Sequence, residues 1–309
     1  MTVVFLGTPE FAVPTLQGLL VAGHSVIEAV TQPDRPKGRK QELEASPVKV
    51  AALRHGIPVY QPERIRRPEA VDHLRALAPD VMVIVGYGQI IPQSIIDIPR
   101  HGVINVHASL LPELRGAAPI QWSIARGYPT TGVTTMRIDA GLDTGDVLGK
   151  WETAIAPDET APELSARLAV AGADLLVRTL ADLESGHAKP QPQDDAIATL
   201  APILRKEDGQ INWHNSAQQI HNLIRGFQPW PGAYTRFRGQ SMHLWRSRLV
   251  PRRWKLAPGA LIDEAGVFAI GGDGAALELL EVQLEGRKRM PAEVFARGHR
   301  LTQTEQLGQ

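Results

Sequence analysis

Asn105 and His107 stand two residues apart in the otherwise apolar stretch Val103-Ile104-Asn105-Val106-His107. In a strand that spacing sends both side chains to one face, and polar groups on a strand meant for burial need partners or a purpose. Downstream comes Asp139-Ala140-Gly141-Leu142-Asp143-Thr144-Gly145-Asp146. Its glycines allow backbone shapes closed to other residues and let a ligand approach closely. A carboxylate beside an imidazole can orient it so that it carries a proton near neutral pH. An asparagine amide can donate to a carbonyl oxygen that gains negative charge. Asn105, His107 and Asp143 thus form a candidate catalytic set for direct attack by an amine on a bound acyl group. The alternative is a hydrogen-bonded core pair. The acids lack EF-hand spacing, and His107 is the one nitrogen ligand nearby, so the set is read as metal-free.

The elements that must position this set alternate. Strands are expected at residues 3–6, 26–31, 59–60, 81–85 and 103–107, with helices at 11–23, 48–55 and 71–77. Such alternation implies an α/β, doubly wound (Rossmann-like), mostly parallel sheet, whose ligands lie at the carboxyl ends of the strands. Residues 7–11, Gly-Thr-Pro-Glu-Phe, lack the G-x-G-x-x-G spacing of a dinucleotide site. The polar, proline-bearing run Lys189-Pro190-Gln191-Pro192-Gln193-Asp194-Asp195 suits a linker. Beyond it, Ser216 can cap a helix bearing Ile220, Leu223, Ile224 and Phe227. Short strands at 233–237, 242–249, 260–262, 267–270 and 277–282 then suggest a small OB-like β-barrel. The expected division is a catalytic domain at 1–188, a linker at 189–204 and a barrel domain at 205–309.

The totals narrow the function class. A chain of 309 residues favours two domains. Without cysteine it has no disulfide, thiolate metal site or cysteine nucleophile. It lacks a basic N-terminal leader and an apolar run of the roughly 20 residues a membrane helix needs, which suggests a cytoplasmic protein with no membrane partner. The net charge of zero hides a split: residues 1–204 hold 18 Lys and Arg against 23 Asp and Glu, and residues 205–309 hold 15 against 10. Between 236 and 255 seven basic residues occur with no acid. That excess suits a polyanionic partner or a solvated basic barrel face.

Asn105-Val106-His107-Ala108-Ser109-Leu110-Leu111-Pro112, Arg115-Gly116-Ala117-Ala118-Pro119-Ile120 and the 139–146 loop resemble the folate-dependent formyltransferases. The resemblance implies 10-formyltetrahydrofolate as co-substrate and Asn105, His107 and Asp143 in the catalytic positions. It also implies a folate site along Ser109, Leu110, Leu111 and Pro112, with Tyr87, Gly88, Gln89, Ile90 and Asp139 holding the pterin. Gln32-Pro33-Asp34-Arg35-Pro36-Lys37-Gly38-Arg39-Lys40 resembles the insertion carried after the second strand by members that act on methionyl-tRNA. Read as free of regular structure, this segment would bring Lys37, Arg39 and Lys40 to the acceptor end. The resemblance then implies initiator methionyl-tRNA as partner, with Arg236, Arg246 and Arg248 of the barrel along its backbone and the protein acting as a monomer. Glu42, Glu44 and Glu113 depart from the more basic residues common in relatives. A sugar-amine formyltransferase using the same donor is the alternative.

Overall fold

Two strands buried almost throughout, β1 (Thr2–Gly7) and β6 (Val81–Val85), pair in parallel near the middle of a seven-stranded sheet. The structure, a computed structural model, describes residues 1–37, 42–302 and 305–309. The chain divides into two compact units. The first comprises Met1–Gly116, Thr131–Thr153 and Ser165–Leu200; the second comprises Ala117–Thr130, Ala154–Leu164 and Ala201–Gln309.

The first unit is built on the sheet order β5-β2-β1-β6-β7-β8-β9. Beside β1 lie β2 (Ser25–Val30) and β5 (Val59–Tyr60) on one side, and β6 and β7 (Val103–His107) on the other, all parallel. Alternation along these strands loads both faces. Val3, Phe5, Val83 and Ile104 meet the helices Val13–Val21 and Pro47–Arg54, while Leu176, Leu180 and Leu183 of helix Ala161–Glu184 complete that layer. Val4, Leu6, Met82, Ile84 and Val103 meet Val71 and Leu74 of helix Pro68–Ala76 and Ile95 of the short helix Gln93–Ile96. Strands buried on both faces need such continuous apolar runs, so the doubly wound reading of the sequence holds.

At the far edge the sheet changes direction. β8 (Thr130–Arg137) runs antiparallel to β7, pairing His107 with Thr134 and Ile104 with Arg137, and β9 (Val147–Ala154) completes the edge. The sequence reading missed β8, β9 and helix Ala161–Glu184, although the leucines of that helix recur at helical spacing.

One expectation needs correction. The insertion read as free of regular structure contains a ribbon, in which β3 (Arg35–Lys37) pairs antiparallel with β4 (Glu42–Glu44). The register sets Arg35 opposite Glu44, a favourable cross-strand charge pair. An isolated two-stranded ribbon also tolerates Pro36, whose missing N–H can face outward. The stem is tied down. Lys49 Nζ lies 2.5 Å from Asp34 Oδ2, and Gln61 Nε2 donates to Asp34 Oδ1 at 2.8 Å. These bonds, led by the one from Lys49, hold the Asp34 carboxyl below its ordinary range.

The second unit is an antiparallel sheet in the order β10 (Ala233–Phe237), β11 (Gln240–Arg253), β14 (Ala275–Leu284), β13 (Val267–Ile270) and β12 (Leu261–Asp263), with β15 (Met290–Pro291) added to β14. Arg238 and Gly239 both have positive φ, +47° and +77°, as a two-residue hairpin between β10 and β11 requires. The C-terminal segment closes the sheet toward a barrel. Leu261 N donates to Glu305 O, Leu307 N to Gly259 O, and Gly308 N to Arg236 O. Ser216 does cap helix Ala217–Gly226: its Oγ accepts from Gln219 N at 3.2 Å and Gln219 Oε1 accepts from Ser216 N at 3.0 Å. Ile220 and Ile224 of that helix pack with Phe237, Leu244, Leu277 and Phe295 in a single core. No helix among the described residues is long and apolar enough to cross a membrane.

Candidate functional site

Asn105 sits beside Ile84 in the β6–β7 register, on the face that Val103 buries. It is 8% exposed, and among the described residues its carboxamide makes no hydrogen bond. Its amide atoms are not among the fully buried unbonded ones, so the carboxamide reaches solvent and is open to a ligand. Two residues on, His107 is 6% exposed, with Nε2 donating to the Leu114 carbonyl at 3.1 Å. That bond leaves Nδ1 facing Asp143 Oδ2 at 3.7 Å.

Asp143 reaches His107 through the 138–146 connection between β8 and β9. Its own φ is +54°, a left-handed value unusual for an aspartate. The flanking glycines serve a different end from the one their type suggested. Neither has a left-handed φ; both are needed for space, because a Cβ on Gly145 would lie 2.0 Å from Arg137 O and one on Gly141 1.9 Å from Thr144 Oγ1. Asp139 braces the same loop from an exposed position, accepting from Gly141 N at 3.0 Å and Thr144 Oγ1 at 2.7 Å. The structure therefore brings Asn105, His107 and Asp143 to one end of β7. The arrangement offers a free amide donor, an imidazole and a carboxylate within one locus.

The other expected positions differ in accessibility. Ser109, Leu111 and Pro112 are buried and Leu110 is half-buried. The Ser109 hydroxyl donates to Glu113 O at 2.6 Å, and Thr134 Oγ1 holds this turn by donating to Ser109 O and accepting from Leu111 N. Tyr87 is buried, with its hydroxyl unpartnered among the described residues, and burial pushes that phenol well above its ordinary range. Its carbonyl accepts from Thr8 Oγ1 and Gln32 Nε2. Gly88 is exposed at φ +86°, Gln89 accepts from Ile65 N at 2.8 Å, and Ile90 is 89% exposed. Leu142, on the second loop, is 61% exposed.

Of the basic candidates, Arg39 and Lys40 lie outside the described residues, as does the side chain of Lys37. Arg236, Arg246 and Arg248 are exposed on β10 and β11. Part of the acid-free run they belong to is paired with acids from elsewhere in the chain. Arg248 pairs with Glu278 at 2.5 Å, Arg252 with Glu264 at 3.3 Å, and Arg238 with Glu305. Antiparallel register sets Arg246 opposite Glu281 and Arg248 opposite Glu278, which no count along one strand reveals.

Sequence reasoning missed the residues that hold the set in place. Gly116 N donates to Asp143 Oδ2 at 2.8 Å. Gln193 Nε2 donates to the carbonyls of Asp143 and Gly145, at 2.8 Å each, and Thr199 Oγ1 accepts from Leu114 N at 2.8 Å. Gln193 and Thr199 belong to the stretch whose composition read as linker, and polarity alone could not single them out. No group of three or more His, Cys, Asp or Glu side chains is arranged to hold a metal ion among the described residues.

Comparison with known proteins shows the family of the chain. Residues 1–180 match the formyl transferase family and residues 203–300 match the formyl transferase C-terminal domain. The chain is 62% identical over 309 residues to the methionyl-tRNA formyltransferase of Solibacter usitatus, covering 100% of this chain and 99% of that protein. Its identity to the methionyl-tRNA formyltransferase of Koribacter versatilis is 56% over 310 residues, with 100% and 99% covered. The fold is also that of the N-formyltransferase from Helicobacter canadensis, solved with folinic acid and dTDP-3-aminofucose: TM-score 0.67 at 17% identity, over 90% of this chain and 98% of that one. Identity at this level along the whole length places the chain within the methionyl-tRNA formyltransferase family of formyl transferases.

Proposed function

We propose that the protein transfers the formyl group of 10-formyltetrahydrofolate to the α-amino group of initiator methionyl-tRNA, with Asn105, His107 and Asp143 as its catalytic residues. The observation that carries the chemistry is the Asn105 carboxamide, on a side chain only 8% exposed and without a hydrogen bond among the described residues, beside the His107–Asp143 pair. The acceptor is supported by full-length relatives bearing that activity in their names. A flat pterin suits the apolar side chains of Ile90 and Leu142, which stand exposed on two separate loops.

The methionyl amine attacks the formyl carbon and a C–N bond forms. The carbonyl oxygen gains charge, to which the Asn105 amide donates and beside which protonated His107 adds positive charge. Asp143 orients His107 and relays the amine proton through water to the folate nitrogen as its bond to the formyl carbon breaks, leaving N-formylmethionyl-tRNA and tetrahydrofolate. Ser109, Leu110, Leu111, Pro112, Tyr87, Gly88, Gln89 and Asp139 shape the folate site. Lys37, Arg39 and Lys40 meet the acceptor end, and Arg236, Arg246 and Arg248 follow the tRNA backbone. In this reading residues 1–188 form the catalytic domain, 189–204 the linker and 205–309 the tRNA-binding barrel of a cytoplasmic monomer.

The test is an acceptor choice: the protein is incubated with 10-formyltetrahydrofolate and either methionyl-tRNA or an amino-sugar nucleotide. Formylation of methionyl-tRNA is expected; formylation of the sugar alone overturns the reading.

A further inference from the structure

The segment 191–200 contributes no buried apolar residue, and Ile197 and Leu200 within it are 60% and 61% exposed. What it contributes is directed hydrogen bonding, aimed at two places that border the candidate centre. The first is the 138–146 loop. Gln193 Nε2 donates to Asp143 O and Gly145 O, and its Oε1 accepts from Arg115 Nε at 3.1 Å and Nη2 at 2.9 Å. The second is the turn that carries the His107 acceptor. Leu114, at φ +59°, is bound at N–H by Thr199 Oγ1, while Arg115 N donates to Thr199 O at 2.8 Å and Thr199 N donates to Pro112 O at 3.3 Å.

We propose that Gln193 and Thr199 are positioning residues, Gln193 fixing the Asp143 backbone and Thr199 fixing the Leu114 carbonyl, so that His107 is held between them. The proposal rests on the reading of His107 and Asp143 as catalytic. Only a neutral amide can satisfy this bridge: its NH2 end meets two carbonyls and its oxygen meets a guanidinium. Arg115, 7% exposed, is in turn fixed by Asp195 at 2.8 Å, and its neighbour Gly116 donates to the Asp143 carboxylate. A closed set of hydrogen bonds thus joins the turn, the loop and the 191–200 segment. Two non-glycine residues in left-handed conformations, Leu114 and Asp143, lie inside it, and such backbone persists only where its surroundings over-determine it. Because the segment adds no buried apolar surface, its loss bears on geometry more than on stability.

Gln193→Glu tests this with no change in shape, since it turns the NH2 group into an oxygen facing two carbonyls. In the full-length protein kcat for formyl transfer is expected to fall about tenfold to a hundredfold, the cost of a small misplacement of a catalytic group. The KM for methionyl-tRNA should stay unchanged, and the melting temperature should fall only slightly, since two part-buried hydrogen bonds are lost. In an Asp143→Asn background Gln193→Glu should cost nothing further, which a purely structural role would not produce. Full activity in Gln193→Glu, or losses that multiply in the double variant, overturns the proposal. An active Asp143→Asn protein overturns instead the catalytic reading beneath it. Should Gln193→Glu not fold, Thr199→Val, which removes the acceptor for Leu114 N, must show the same kcat loss and the same absence of added cost over His107→Ala; full activity there overturns the proposal.

Discussion

The backbone N–H of Gly116 donates to Asp143 Oδ2 at 2.8 Å, the same oxygen that faces His107 Nδ1 at 3.7 Å. The carboxylate is therefore aimed by main chain from a separate turn, and its direction does not depend on a free rotamer. The main-chain donor also keeps Asp143 occupied whether or not His107 is protonated, which suits a group that orients a base and passes a proton.

Removing the donor should strike kcat. For Asn105→Ala a fall of about a hundredfold to a thousandfold is expected, the usual cost of one oxyanion donor, and His107→Ala should bring at least as great a loss. Affinity for tRNA, measured by filter binding, should hardly change. A fully active Asn105→Ala protein would remove that residue from the chemistry.

Gly145→Ala should shift the loop that bears Asp143. The new methyl would lie 2.0 Å from Arg137 O, a backbone atom at the end of β8 that cannot swing away. Overpacking of this kind costs about 1–3 kcal/mol, so thermal unfolding should begin at lower temperature and kcat should fall with it. Wild-type kinetics in this variant would show that the loop has a freedom its packing denies.

The barrel arginines should rank by their partners. Arg236 and Arg246 are exposed, and their replacement by Ala should lower the slope of log affinity for tRNA against log salt by about one each if each meets a phosphate. Arg248 must first leave Glu278, so Arg248→Ala should have the smallest effect. Arg39→Ala should raise the KM for methionyl-tRNA and leave folate binding intact. Equal salt slopes in all four proteins would detach these residues from the tRNA.

Stability should depend on pH through His221. Burial, the largest influence, pushes its imidazole below the ordinary 6.5. Its Nε2 donates to Pro157 O at 3.2 Å, Ser247 Oγ meets Nδ1 at 3.0 Å, and Arg225 and Asp158 stand nearby. The unfolded chain binds the proton more readily, so the contribution is complete above 6.5 and is lost as pH falls below it. His24 and His243 are lowered in the same sense, also chiefly by burial. Melting temperature should therefore drop between about pH 7 and pH 5, and His221→Gln should lessen the drop. Identical slopes in the two proteins would assign the effect elsewhere.

Much of the first unit follows from its sequence alone. Continuous apolar runs such as Val81–Val85, set among alternating strands and helices, suit a strand buried on both faces of a parallel sheet, and the two-residue spacing of Asn105 and His107 puts them on one face of such a strand. The Ser216 cap was legible too, because capping acts within one turn of helix. Other features depend on pairing between segments. β8, next to the edge strand β9, runs antiparallel to β7, and the ribbon in the insertion pairs two short segments whose sequence reads as a loose basic tract. Of the seven basic residues of 236–255, Arg246 and Arg248 face acids only once register sets β11 against β14. The same holds at the candidate centre. Residue type singled out Asn105, His107 and Asp143, but Gly116, Gln193 and Thr199 hold them through backbone groups that every sequence shares. Side-chain chemistry can be read along the chain; a hydrogen bond to a distant carbonyl or amide exists only when folding brings its two ends within about 3 Å.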